Sequence, residues 1–230
     1  MFSYYGSKGK VVQLYPKPKF DTIIEPFAGS ARYSLRFFEN NIILVDAYKV
    51  IVDLWNYLIA APAKDIRKLP NLPAGSRFKI EDFDCPGQYY LFGYLCNQGA
   101  AYARSQVSTR GSERFEYNKK NVINNLHKIR HWKVFHSDYK DISNLEATWF
   151  IDAPYQEGGH KYKHNKINYS ELKKFILSRK GQVIACENMN AKWMNFTPMI
   201  SMQGMKKKTV EALYSNYPTA FDNKQAKFKF

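Results

Sequence analysis

The chain has 230 residues, 45% of them hydrophobic, with 35 Lys+Arg against 20 Asp+Glu and a formal net charge of +15. At roughly 150 residues per domain, this allows one generous domain or one domain carrying an insertion, and the apolar content excludes a disordered chain. The longest apolar runs, such as residues 54–61, fall far short of the ~20 residues of a spanning helix.

No apolar leader with a small-residue cleavage site opens the sequence, so export is not expected. Three cysteines (Cys85, Cys96 and Cys186) form neither a CxxC pair nor an even framework, which points to a reduced, cytoplasmic protein without a disulfide scaffold or structural zinc. The five histidines show no ligand spacing, and no metal is expected. The charge surplus exceeds the ~2–8 that solubility asks of a small domain and points to polyanionic partners. Seventeen Tyr, 16 Phe and 4 Trp add rings on which unstacked bases rest, although most will be core.

In chain order, Thr22-Ile-Ile-Glu25 reads as a short buried strand, followed by the turn Pro26-Phe-Ala-Gly-Ser30 and a helix over 31–40. Ile42 to Val45 is a second strand ending at Asp46, and an amphipathic helix over 50–60 closes at Pro62. This β-α-β-α order predicts a parallel sheet with helices on its faces. From 62 to 132 the pattern breaks into Pro- and Gly-punctuated chain, an aromatic stretch (88–104), a polar loop (105–114) and a helix (119–130). Residues 85–133 hold eight Lys or Arg against only Glu113 and Glu116, so 62–132 reads as a basic insertion that contacts nucleic acid. Arg104, Arg110, Arg114, Lys119 and Lys120 are the contact candidates, with phosphate the safer target.

Strands resume at Val134-Phe-His136, Thr148-Trp-Phe-Ile151 and Gln182-Val-Ile-Ala-Cys186, which lead to Asp138, Asp152 and Glu187. A helix opens at Ser170 and runs through Leu177. Thr197 to Met202 and Val210 to Ser215 flank Gly204 and Lys206-Lys-Lys208 as a hairpin, and a basic tail starts at Asp222. The loop 156–166, with His160 and His164, reads as a flap beside the substrate; Glu187 reads equally as a capping or surface residue.

In an open parallel sheet, ligands sit beyond the carboxyl ends of the strands, where Gly29 lets a ligand approach the backbone and Asp46 is placed for ribose hydroxyls. An adenosine-bearing cofactor fits this pattern, as does an ordinary tight turn with a solvated acid. GxGxxG is missing, which disfavours a nicotinamide cofactor.

Asp152-Ala-Pro-Tyr155 resembles the D-P-P-Y signature of the amino-methyltransferases, which use S-adenosylmethionine. Tyr4-Tyr-Gly-Ser-Lys8 resembles the N-terminal cofactor motif of the DNA adenine methyltransferase (Dam-type) family. Glu25-Pro-Phe-Ala-Gly-Ser30 is similar to that family's E-P-F-x-G-x motif, and Leu44-Val-Asp46 to its ribose-binding acid. His136-Ser-Asp-Tyr139 and Glu211-Ala-Leu-Tyr214 complete the family's order over nearly the whole chain.

The resemblance implies a Rossmann-like class I methyltransferase sheet at 1–61 and 133–230, with a mostly helical target-recognition insertion at 62–132. It implies S-adenosylmethionine as cofactor, held by Tyr4, Lys8, Glu25, Phe27, Ala28, Gly29, Ser30, Asp46, Asp138 and Tyr139, with Lys8 on its carboxylate. The partner is double-stranded DNA with a flipped adenine, and the setting a bacterial or phage-infected cell. The exocyclic amine is a poor nucleophile, and acceptors around its hydrogens localise its lone pair. Asp152 supplies one acceptor, the Ala153 carbonyl another, Pro154 rigidity and Tyr155 a stacking face. Ala153 stands where the family has Pro; it keeps the carbonyl but loses a fixed φ. Two further readings stay open: methylation of RNA or protein glutamine, and a catalytically inactive DNA-binding relative or subunit.

Overall fold

A computed structural model of the chain describes residues 1–9, 11–203 and 208–222. Seven strands form one sheet: β1 Thr22–Glu25, β2 Asn41–Asp46, β3 Lys133–His136, β4 Ala147–Ile151, β5 Gly181–Asn188, β6 Thr197–Gln203 and β7 Lys208–Ser215. Their order is β3-β2-β1-β4-β5-β7-β6, parallel except that β7 runs against both its neighbours. The expected Rossmann-like α/β sheet is the one observed. The carboxyl ends of β1, β2 and β4 share one edge, and the direction of winding reverses between β1 and β4.

Side chains alternate across the sheet because the strand period is two. Ile23, Phe150 and Ile184 enter one core with α2 (Lys49–Ala60), while Ile24, Trp149 and Val183 enter the other with α6 (Tyr169–Ser178). Between α2 and β3 lie α3 (Ala63–Arg67), α4 (Pro86–Leu95) and α5 (Thr109–Asn125). Their Leu91, Phe92 and Phe115 join Trp55 and Leu58 of α2, so this segment shares the first core. No helix among the described residues is long and apolar enough to cross a membrane.

Three boundaries differ from the sequence reading. The helix expected over 31–40 is α1, Arg32–Arg36, which stops where Phe37 leaves helical geometry at φ −117°. The polar loop predicted over 105–114 is half helix, since α5 begins at Thr109 with Ser108 Oγ accepting from Gly111 N at 3.0 Å. Asn168, rather than Ser170, caps α6 by accepting from Ser170 N and Glu171 N. The predicted hairpin is present as β6 and β7; Gly204, Lys206 and the tail after Asp222 lie outside the described residues.

Candidate active site

The turn after β1 bends through two left-handed residues, Gly29 (φ +43°) and Ala31 (φ +45°). Ala31 pays a steric cost that Gly29 does not. The bend brings Gly29 N within 3.1 Å of Asp46 Oδ2, while Asp46 Oδ1 accepts from Tyr48 N at 2.8 Å. Burial raises the Asp46 pKa above the usual carboxylate value, and these two N–H groups oppose the rise. Each oxygen retains a lone pair for a further donor.

A cavity of about 340 Å³ opens at this edge, at the small end of the ~300–1,000 Å³ typical of ligand sites. Of the residues predicted for a cofactor, Tyr4, Lys8, Glu25, Phe27, Ala28, Gly29, Ser30, Asp46, Asp138 and Tyr139 all line it. Phe27 and Tyr139 pack with ring centroids 5.2 Å apart as one wall. Ser30 Oγ donates to Ser7 Oγ at 2.9 Å, and Arg32 Nε reaches the same oxygen at 2.9 Å, making a polar end. A carboxylate for hydroxyls, an aromatic wall and a polar end suit S-adenosylmethionine, so the residues present fit that group.

Two of these side chains are engaged differently from expectation. Glu25 is fully buried and its Oε1 accepts from Ser34 N at 2.7 Å, closing the start of α1 from within. Burial pushes its pKa up to about 8. Lys8, expected on the cofactor carboxylate, instead places Nζ 3.0 Å from Asp152 Oδ1 and 3.6 Å from Glu211 Oε1. Burial works against its charge, but these two carboxylates hold its pKa above the ordinary lysine value.

Asp152 follows directly on β4 and keeps 22% side-chain exposure, lining the cavity with Pro154. Burial raises its pKa, and Lys8 opposes the rise. Ala153 is buried among the second core. Tyr155 lies outside this cavity and lines a second concavity with Glu157, Asn188 and Glu211. Lys8 and Tyr162 border both spaces. The Lys8 ammonium lies 4.4 Å from the Tyr155 ring centre, and the Tyr155 hydroxyl donates to Glu211 Oε1 at 2.6 Å.

The flanking loop is pinned rather than free-standing. Glu187 accepts from Gln156 N (3.1 Å), Trp193 Nε1 (3.0 Å) and Asn188 N (2.9 Å), so it is a loop anchor. Tyr162 donates to Tyr5 O at 3.1 Å and seats on Gly6, where a Cβ would collide with its hydroxyl. His164 lines the first cavity beside Tyr48.

Arg104, Arg110, Arg114 and Lys120 are exposed on the 62–132 segment. Lys119, expected among them, is instead buried, with Nζ donating to Leu69 O (2.9 Å) and Arg67 O (3.4 Å) and paired with Glu116 (2.8 Å). It ties α5 to the end of α3 and is not free for a phosphate. Glu211 is the residue that sequence reasoning missed as a site group. Its signal was an acid on a strand whose neighbours Ala212 and Leu213 are core residues.

No protein family and no curated protein matches the chain. Solved structures with a similar layout include a candidate methylase from Haemophilus influenzae, at 9% identity and TM-score 0.38 over 86% of this chain and 87% of that one. A candidate methyltransferase from Escherichia coli gives 9% and 0.35 over 84% and 74%. A conserved hypothetical protein from Streptococcus pyogenes gives 8% and 0.38 over 92% and 96%. The chemistry of the site rests on its own residues.

Proposed function

We propose that the chain is an S-adenosylmethionine-dependent methyltransferase that modifies the exocyclic 6-amino group of adenine in double-stranded DNA. The observation that carries this reading is the placement of Asp152 at the end of β4, on the wall of the cavity that also holds Asp46 and the Gly29 turn. When bound, the cofactor supplies a methyl group already activated on a sulfonium, so the protein's task is positioning and electrostatics.

Asp46 accepts from ribose hydroxyls with its remaining lone pairs, Phe27 and Tyr139 flank the adenine ring, and Ser7, Ser30 and Arg32 hold the polar end. Asp152 accepts a hydrogen bond from the acceptor amine, and the Ala153 carbonyl accepts a second. Together they draw the nitrogen toward pyramidal geometry and free its lone pair. Tyr155 offers a face to the extruded base, which enters by the second concavity and passes Lys8 and Tyr162, the residues that line both spaces, to bring its amine to Asp152. DNA as acceptor is supported by the +15 charge and by the exposed cations at Arg104, Arg110, Arg114 and Lys120. Two of these lie beside exposed rings, Arg104 with Tyr102 and Arg114 with Tyr117.

The test offers tritiated cofactor with unmodified plasmid DNA, RNA and protein to wild type and Asp152→Ala. Label in DNA adenine that falls at least ~100-fold in the variant supports the proposal. Label in RNA or protein alone moves the acceptor class, and DNA binding without transfer marks an inactive relative.

A further inference from the structure

Glu211 sits on β7, which runs antiparallel to β5, at 3% side-chain exposure. Its Oε1 accepts from the Tyr155 hydroxyl at 2.6 Å and from the Tyr15 hydroxyl at 2.6 Å, and lies 3.6 Å from Lys8 Nζ. Tyr15 itself packs edge-on against Phe150 of β4, with centroids 5.1 Å apart. One oxygen therefore links the N-terminal segment, the residue that ends the 152–155 motif and the antiparallel strand. A buried carboxylate is unfavourable unless donors and a cation surround it, and here both phenols and the ammonium do so.

Lys8 stands where an acceptor would have to be, with its ammonium on Asp152 Oδ1 and 4.4 Å from the Tyr155 ring centre. A base amine that takes Asp152 must displace it. An ammonium left alone in this setting would be strongly unfavourable, but Glu211 is a second counter-charge only slightly farther than the first. The other charged or titratable groups facing Lys8 are Cys186 and Tyr162.

We propose that Glu211 is a positioning residue: it sets the Tyr155 ring by holding its hydroxyl, and it receives the Lys8 ammonium when an acceptor amine takes Asp152. This rests on the methyltransferase reading. It adds to that reading a two-position lysine whose ammonium keeps a carboxylate in either position, while Asp152 exchanges the ammonium for the hydrogen bond of the amine.

Glu211→Gln keeps an oxygen for the phenols and removes the charge. Four quantities are read on the full chain: kcat, acceptor KM, the Kd of S-adenosylhomocysteine by calorimetry, and the 15N shift and proton-exchange rate of the Lys8 ammonium at neutral pH by NMR, assigned with Lys8→Met. The variant is expected to lose about tenfold in kcat while keeping Kd within about twofold, and its Lys8 ammonium to shift and to exchange protons severalfold faster. An unchanged kcat, a cofactor Kd that weakens in step with kcat, or an unmoved Lys8 ammonium signal would each overturn the proposal. If wild type transfers methyl groups to nothing, the methyltransferase reading falls, and the NMR signal still decides whether Lys8 answers to Glu211. Should Gln at 211 prevent folding, Tyr155→Phe removes only the hydroxyl. A severalfold rise in acceptor KM then supports the role of Glu211 in setting the ring, and an unchanged KM overturns it.

Discussion

Lys8 Nζ lies 3.0 Å from Asp152 Oδ1, an ion pair that joins the N-terminal segment to the end of the central strand β4. Lys8 lines both the cavity and the concavity lined by Tyr155, while Asp152 lines only the first. Both partners are largely buried, so the pair offsets part of the desolvation of each charge, and Glu211 Oε1 at 3.6 Å is a second counter-charge for the ammonium. The N-terminal motif and the 152–155 motif thus form one site through direct contact.

Asp46→Ala is expected to weaken cofactor binding by about ten- to a hundredfold, the loss of one charged acceptor. DNA affinity should stay within about twofold. Calorimetry with S-adenosylhomocysteine and fluorescence anisotropy with duplex DNA read the two. Equal loss of both would mean that breaking the contacts to Gly29 N and Tyr48 N unfolds the edge.

Ala153→Pro should hold or raise kcat, because proline keeps the main-chain carbonyl and fixes φ at that position. Single-turnover kinetics checks this. A collapse in rate with an unchanged melting temperature would refute the role given to that carbonyl.

The strand ends were legible in the sequence because each short apolar run stops at an acid; β1, β2 and β4 follow that rule, while β5 runs past Glu187 to Asn188. The start of α5 was not, since Thr109 to Arg114 carries no apolar period and Gly111 reads as a breaker. In the fold Gly111 is required, because a Cβ there would strike the Cys96 carbonyl. The partners of Lys8 and Lys119 were hidden for a different reason. A lysine's sequence neighbours do not report which distant carboxylate or carbonyl it meets, and Tyr15 meets Glu211 only because β7 inserts beside β5.

Glu25 makes stability depend on pH in a stated direction. Its folded pKa is raised by burial to about 8 from the ordinary value of 4.5, so the native state binds the extra proton between those limits. Its contribution is complete below pH 4.5 and is lost as pH rises through about 8. Glu25→Gln keeps an acceptor for Ser34 N and stays neutral. Its stability relative to wild type should therefore grow across that window, as read by urea unfolding at pH 5 and pH 8.5. A difference that does not change with pH would contradict the assignment.

Arg114→Gln and Lys119→Met should separate surface from scaffold. Loss of one phosphate contact at Arg114 is expected to reduce the slope of log K against log salt by about 1 and leave Tm unchanged. Lys119→Met should cost about 2 kcal/mol of stability through the orphaned Leu69 and Arg67 carbonyls, with the salt slope intact. The opposite pattern would place Lys119, rather than Arg114, on the DNA.

The most direct measurement is a crystal structure of the protein with S-adenosylhomocysteine and a duplex whose adenine is turned out. The ribose is expected on Asp46, the base amine on Asp152 Oδ1 with its ring against Tyr155, and the sulfur facing that amine. A cofactor seated away from the Gly29 turn, or a base that leaves Lys8 on Asp152, would contradict that arrangement.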